Sequence, residues 1–264
     1  MRKCKIIISL LVHEKPNELL DFIAHVKKFL KIPHRVLLHC NDFMFEELSQ
    51  VNDDRFDINP DHFDKKRVHH SVIDGLLEAI ISNIDFSINN YDFDYFLIMS
   101  PTDFFYQVLE DESDITKNKM LSVKGPPSAS NPGLSKNYNL HSWMLKNCKN
   151  TKLYQLIKSN NFFYAASAAW GTVFLRESCV KIMNFFAENR DILDDLKSTN
   201  HCLEEFALQT ICSGIFGDNF FNISNGAKRI SLDECSQDKF LARKPFSPSL
   251  KDYYDNGGKG PGYS

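Results

Sequence analysis

The chain has 264 residues, 43% of them hydrophobic and 25% charged, with a formal net charge of −3. A chain of that size and balance buries a full core, as one large α/β domain or two small ones. The mild negative charge leaves no electrostatic footprint for nucleic acid or an acidic membrane surface.

The chain begins Met-Arg-Lys-Cys-Lys and continues in an apolar run over residues 6–12, which His13 and Glu14 interrupt. The run is too short for a signal h-region with its cleavage site and far too short to cross a bilayer. The expectation is a cytoplasmic protein with no integral membrane segment. Its seven cysteines, Cys4, Cys40, Cys148, Cys179, Cys202, Cys212 and Cys235, are odd in number and nowhere spaced C-x-x-C. Zinc ribbons and dithiol redox motifs are therefore not supported, and free thiols in a reducing compartment are the simplest reading.

The 6–12 run reads as a buried strand. Residues 18–30 carry Leu19, Leu20, Phe22, Ile23, Val26, Phe29 and Leu30 at one-sided helical spacing, and Pro33 ends the unit. Residues 35–39 read as a second strand, so the chain opens β-α-β, the start of a parallel sheet. Residues 53–70 are polar and mixed, with Asn59-Pro60 as a breaker. Residues 71–83 form the next predicted helix, with Val72, Leu76, Leu77, Ile80 and Ile81 on one face.

The rest of the chain is organised around residues 95–99, an apolar run rich in aromatic and branched types that reads as a strand buried on both faces. Pro101 cannot continue a central strand, so the chain is expected to turn through Ser100-Pro101-Thr102-Asp103. Ligands of open α/β sheets sit beyond the carboxyl ends of the strands, which puts Asp103 at the mouth of a site. The competing reading is a turn aspartate that satisfies local amides.

Residues 110–138 are turn-rich and are expected to form a flexible loop over the site. Helices are predicted over 141–160, 179–187 and 204–212, a strand over 170–175, and short extended pieces over 228–230 and 240–246. The tail 255–264, with four glycines and one proline, is expected to be disordered. The domain reading is a single domain over 1–254, with residues 1–109 and 110–254 as its two halves.

Three groups could carry chemistry. Glu204 and Glu205 open an apolar helix, where carboxylates are favoured by the helix dipole alone. Their side chains point about 100° apart, so one faces inward, toward Trp170. Desolvation there raises a carboxyl toward the range useful for a general base. The second group is Arg243 and Lys244, with Arg229 upstream. Adjacent cations are commonly solvated surface. The first βα turn, however, has neither a glycine-rich dinucleotide loop nor a Walker A loop, so a cation cluster is the remaining way to hold a diphosphate. The third, Asp92-Phe93-Asp94, spells the D-x-D of metal-dependent sugar transferases. It precedes its strand rather than following one and reads as a solvated strand start.

Taken together, five segments resemble one family in order. Val12-His13-Glu14-Lys15-Pro16 is similar to its opening "VH" loop, Leu38-His39-Cys40-Asn41-Asp42 to "IHVD", and the segment from Phe96 to Phe105 to "LSGxDFP". Glu205-Phe-Ala-Leu-Gln-Thr-Ile211 is similar to the "DExxxxTL" helix and Phe240-Leu-Ala-Arg-Lys244 to "LFARKF". The family is glycosyltransferase family fourteen, which holds the core-2/I-branching N-acetylglucosaminyltransferases and the peptide xylosyltransferases. This chain departs from it with Asn41 in the aspartate position, Phe105 in place of the closing proline, and none of the cysteine framework of the Golgi members. The missing framework fits a cytoplasmic microbial or viral relative.

The resemblance implies a GT-A-type fold with a mostly parallel central sheet flanked by helices. It implies an inverting transferase that moves a sugar from a UDP-sugar to a hydroxyl of a glycan acceptor, with no metal and no cofactor beyond the donor. Glu205 would be the general base. His13, Asn41, Asp42, Asp103, Arg229, Arg243 and Lys244 would hold the donor, with Lys244 the best match to the family's phosphate-binding lysine. Trp170 and Glu204 would face the acceptor, a surface polysaccharide or glycoprotein glycan. The rival expectations are a metal-dependent GT-A transferase of another family and a non-catalytic glycan- or nucleotide-binding module.

Overall fold

Strand β2 (Ile6–Val12) has no solvated face, because all seven of its residues are buried. A strand of that kind belongs inside a sheet covered on both sides. In the computed structural model β2 pairs in parallel with β3 (His34–Cys40) on one side and with β8 (Tyr95–Met99) on the other. The model describes residues 1–12, 16–51, 54, 56–61, 68–69, 72–73, 76–100, 103–105, 108–112, 151–159, 171–197, 207–216, 227–229 and 241–243.

The central sheet is completed by β4 (Phe56–Ile58), parallel to β3, and β10 (Val173–Leu175), antiparallel to β8, in the order β10-β8-β2-β3-β4. The mostly parallel sheet flanked by helices that the sequence predicts is therefore present. Strand β10, from the second half of the chain, pairs with a sheet built otherwise from the first. Minor pairings are β1 (Arg2–Lys3) with β7 (Tyr91–Asp92) and β5 (Val68–His69) with β6 (Val72–Ile73). A separate three-stranded sheet combines β9 (Asp103–Phe105), β11 (Ala227–Arg229) and β12 (Leu241–Arg243) in the order β11-β12-β9.

Alternation along β2 sends its side chains into two cores. Ile6, Ile8, Leu10 and Val12 meet Leu19, Phe22, Ile23 and Val26 of α1 (Pro16–Phe29), together with Met44 and Leu48 of α2 (Asp42–Leu48). Ile7 and Leu11 face the other side. There they join apolar residues of α3 (Leu76–Asn90), α4 (Lys152–Ser159), α5 (Arg176–Glu188), α6 (Asp191–Lys197) and α7 (Ala207–Phe216). The result is three layers, helix on sheet on helix. Helix α1 starts with a proline, whose missing N–H costs nothing there, and ends with Lys27 and Lys28 near the negative end of its dipole. None of the described helices is long and apolar enough to cross a membrane. Of the seven cysteines, Cys4, Cys40, Cys179 and Cys212 are described; all four are free thiols and buried.

Several elements differ from the sequence expectation. The helix predicted over 71–83 starts at Leu76 and runs on to Asn90, while Val72 lies in β6. Helical periodicity carried across the boundary, because a two-residue strand is too short to show alternation. Asp103, expected at the end of a turn, is the first residue of β9, whose partner lies far away in sequence, while residues 101–102 lie outside the described residues. Strand β10 is shorter than predicted, and the described part of the last predicted helix, Ala207–Phe216, runs on past residue 212, while residues 204–206 lie outside the described residues. Helix α2, helix α6 and strand β4 lie where no element was expected. The tail 255–264 lies outside the described residues, as does the long connection from residue 113 onward.

A buried polar chain pins α3 to the sheet. Asn83 donates from Nδ2 to Ser9 Oγ at 2.9 Å, and Asn59 Nδ2 donates to Asn83 Oδ1 and to Ser82 Oγ, both at 2.9 Å. The Asn59 amide N–H donates to the Leu38 carbonyl at 2.8 Å. Ser9, Asn59 and Asn83 are fully buried, so each bond replaces water that is not there. This fixes how α3 slides along β2, which apolar contacts alone tolerate loosely. Replacing Asn83→Ala removes a partner from both Ser9 and Asn59 and should cost about 2–4 kcal/mol in urea unfolding. An unchanged midpoint would show that the chain does not hold the helix.

Candidate functional site

The parallel strands define one edge. Val12 lies opposite Cys40 and Leu10 opposite Met99, so β2, β3 and β8 all end on the same side of the sheet. The chain leaves all three strands on that side, the usual ligand edge of such a sheet. Asn41 follows β3 directly. Its backbone is extended (φ −74°, ψ 165°) and its Oδ1 accepts the Met44 N–H at 2.8 Å. It is the N-cap of α2, with its carbonyl spent on the helix and its amide group the part left to offer a ligand. Asp42 is the first residue of α2. His13 follows the last residue of β2 in sequence and lies outside the described residues.

The second component is the three-stranded sheet. Strand β9 starts four residues beyond the end of β8. Asp103 is the register partner of Arg243 on antiparallel β12, and Arg243 is the register partner of Arg229 on parallel β11. Three of the residues expected to hold the donor therefore share one row across three strands, although up to 140 positions separate them in sequence. Adjacent strands lie about 4.8 Å apart, so the row spans about 10 Å. That is the scale of a diphosphate with its flanking groups. Lys244 follows Arg243 in sequence and lies outside the described residues.

Strand β9 is the edge strand of that sheet, and Phe105 ties it down. Its ring is fully buried in the core beneath α1, and its N–H donates to His25 Nε2 at 3.0 Å. His25 is itself buried, with its ring 4.4 Å from that of Phe29. Sequence reading passed over His25 because it has no ligand spacing. The available signal was its place within the apolar stripe of α1, three residues after Phe22 and four before Phe29.

The far end of β8 meets β10. Gly171 has φ 82°, a left-handed conformation that a Cβ would penalise. There its N–H donates to the Ile98 carbonyl at 2.6 Å while the Thr172 carbonyl accepts the Ile98 N–H at 2.9 Å. Gln209 of α7 donates from Nε2 to Thr172 Oγ1 at 3.4 Å, with both residues buried. The first turns of α7 are thereby set against the start of β10. Glu205 stands two residues before Ala207, the first residue of α7. Glu204, Glu205 and Trp170 lie outside the described residues.

The opposite edge holds charge of a different kind. Asp94 accepts from Lys5 Nζ at 2.7 Å, and Glu112 pairs with the same ammonium at 2.9 Å. All three side chains are substantially exposed, so these pairs contribute little. Asp94 immediately precedes Tyr95, the first residue of β8, away from the ligand edge, consistent with a solvated strand start. Among the described residues no three His, Cys, Asp or Glu side chains gather in a group that could hold a metal.

Asp57 of β4 is better supported. Its Oδ2 accepts from Arg35 Nε at 2.8 Å, Arg35 Nη2 at 2.6 Å and Tyr91 Oη at 2.7 Å, and its Oδ1 accepts from Arg2 at 2.6 Å. Burial pushes this carboxyl up, but the hydrogen bonds from Tyr91, Arg35 and Arg2 and the charge of Arg35 outweigh it and hold it below the ordinary carboxylate value. Burial, then the bond to Asp57, pushes the Tyr91 phenol up. This cluster joins β1, β3, β4 and β7 at the amino end of the sheet, where it serves the fold.

No family model matches this sequence, and no curated protein matches it significantly.

Two measurements follow from this geometry. Register partners in antiparallel strands have Cα atoms about 4.5–5.5 Å apart, within disulfide reach. Asp103→Cys with Arg243→Cys should cross-link on mild oxidation, as mapped by peptide mass, while Asp103→Cys with Leu241→Cys should not. The reverse outcome would shift the row out of register. Asp57→Asn should lower stability at neutral pH by roughly 1–3 kcal/mol. A depressed carboxyl stabilises fully above its unfolded value and loses that contribution as pH falls through the folded one. The gap between wild type and variant should therefore narrow as pH falls below the ordinary carboxylate range toward the depressed folded value. A gap that stays constant in urea titrations at each pH would assign the loss to packing.

Proposed function

We propose that the protein is an inverting glycosyltransferase with a GT-A-type fold, which moves a sugar from a UDP-sugar to a glycan hydroxyl without a metal ion. The observation that carries this reading is the row Asp103, Arg243, Arg229, one short connection beyond the carboxyl end of β8. Phosphates in α/β sheets are commonly held by glycine-rich loops and helix N-termini. This chain has no glycine-rich loop after β2, and a row carrying two arginines offers the charge that such a loop would supply.

In the proposed reaction Glu205 takes the proton from the acceptor hydroxyl. The hydroxyl oxygen bonds to the anomeric carbon from the face opposite the leaving group. The bond from that carbon to the diphosphate oxygen breaks, and UDP departs with the electron pair. Negative charge grows on the departing oxygen, so cations already in place lower the barrier without having to reorganise. Arg243, Lys244 and Arg229 fill that role, Asp103 orients the donor sugar, and Asn41, Asp42 and His13 hold the nucleoside end. Trp170 and Glu204 face the acceptor. The contact between Gln209 and Thr172 supports the reading, because it anchors the helix that follows Glu205 to the strand that runs along β8.

Assays with a panel of UDP-sugars and glycan acceptors test the proposal. Glu205→Gln should lower kcat by 100-fold or more, and Arg243→Ala should cost about 2–4 kcal/mol of barrier, the scale of a lost oxyanion donor. Near-normal turnover in Glu205→Gln would remove that residue from the mechanism. Activity should survive excess chelator; loss that Mn²⁺ restores would replace this reading with a metal-dependent one.

A further inference from the structure

Three side-chain amides are buried among the described residues, those of Asn59, Asn83 and Gln209. Two of them are well supplied. Asn59 and Asn83 bond to one another and to Ser82 and Ser9, each at 2.9 Å. Gln209 differs. Its one bond among the described residues is the donation to Thr172 Oγ1, and 3.4 Å is long for an N–H···O bond. A glutamine amide can donate twice and accept twice. Among the described residues, the second N–H and the carbonyl oxygen of Gln209 are therefore uncommitted, in a side chain that keeps only 4% of its surface. Native cores rarely tolerate a buried amide in that condition.

A tether between α7 and β10 does not account for it. Residues 207–213 are buried without a break, so α7 has no wet face over its first two turns. An apolar side chain of the same length would pack there, and so long a contact offsets little of the desolvation of an amide. The amide is also placed at the ligand edge. Thr172 follows Gly171, whose N–H meets the Ile98 carbonyl, and β8 ends one residue beyond Ile98.

We infer that Gln209 is a binding residue for a saccharide, which it takes by two hydroxyls, one on its second N–H and one on its carbonyl oxygen. Hydroxyls both donate and accept, so neighbouring ring hydroxyls match a primary amide in full. An ionised phosphate only accepts, and an apolar group does neither. That this saccharide is the acceptor rests on the transferase reading above. Gln209 stands four residues after Glu205, one turn along the helix that the sequence predicts. The reacting hydroxyl then meets Glu205 and its ring neighbours meet Gln209.

The test uses the full chain as wild type and Gln209→Met, which keeps the side-chain length and removes the amide. The probes are the methyl glycosides of glucose, galactose, xylose and N-acetylglucosamine, titrated by NMR, and UDP, titrated by calorimetry. The Tm of Gln209→Met without ligand should equal or exceed that of wild type, because an under-bonded amide has left the core. Its affinity for the glycoside that wild type binds should fall about tenfold or more, the weight of a lost hydrogen bond, while UDP affinity stays level. A residue that merely ties α7 to β10 gives the opposite, a lower Tm with glycoside affinity intact, and that result would overturn the inference. So would a wild type that binds none of the four glycosides. If Gln209→Met does not fold, the wild-type side-chain amide signals of Gln209 decide: they should shift as glycoside is added, and signals that stay fixed would overturn the inference. The two readings separate cleanly. Glycoside binding that depends on Gln209 in a protein that binds no UDP keeps the saccharide site and removes the transferase. UDP binding with glycoside affinity unchanged in Gln209→Met does the reverse.

Discussion

Everything in this molecule is placed relative to a strand with no wet face. Strand β2 is buried along its whole length and paired on both sides, so helices must cover it above and below. Each of its large side chains contributes on the order of 1.5–3 kcal/mol through burial. The exposed pairs around Lys5 contribute little beside that. Burial therefore sets the architecture, and charge decorates its two ends differently. Because β3 and β8 run parallel to β2, the chain leaves the sheet repeatedly on the same side, and that repetition is what makes a site there.

Polar groups inside the layers do a narrower job. The chain from Ser9 through Asn83 to Asn59 sets the position of α3, and the cluster around Asp57 closes the amino end. The contact of Gln209 with Thr172 relates α7 to β10, and His25 relates β9 to α1. In each case a polar contact inside or at the margin of the core fixes one element against another. Specific placement comes from such bonds, since an apolar interface alone tolerates sliding.

Much of the central architecture could be read directly. The 6–12 and 95–99 runs coincide with strands because continuous apolar character over five to seven residues has few other uses. Helix α1 was legible from its one-sided stripe. What stayed hidden depends on partners distant in sequence. Asp103 looks like a turn residue, and only pairing with β12 makes it part of a strand. Strand β4 is three residues long, too short for periodicity to show. Of the candidate site, Arg229, Arg243 and Asp103 could be named but not related, because register across strands is a tertiary property. His25 escaped notice because a histidine in an apolar stripe looks like filler until its acceptor role is visible.

The reversed direction of β10 sets its two ends at opposite edges of the sheet. An antiparallel neighbour presents its beginning, not its end, at the edge where β8 stops. The chain therefore enters β10 at Gly171 on the carboxyl edge of the sheet. The passage from Leu175 into α5 lies at the opposite pole, where the Arg176 amide meets the Asp94 carbonyl. The two ends of β10 are thus tied to opposite edges of the sheet, and a change of length at one is felt a full strand away from the other.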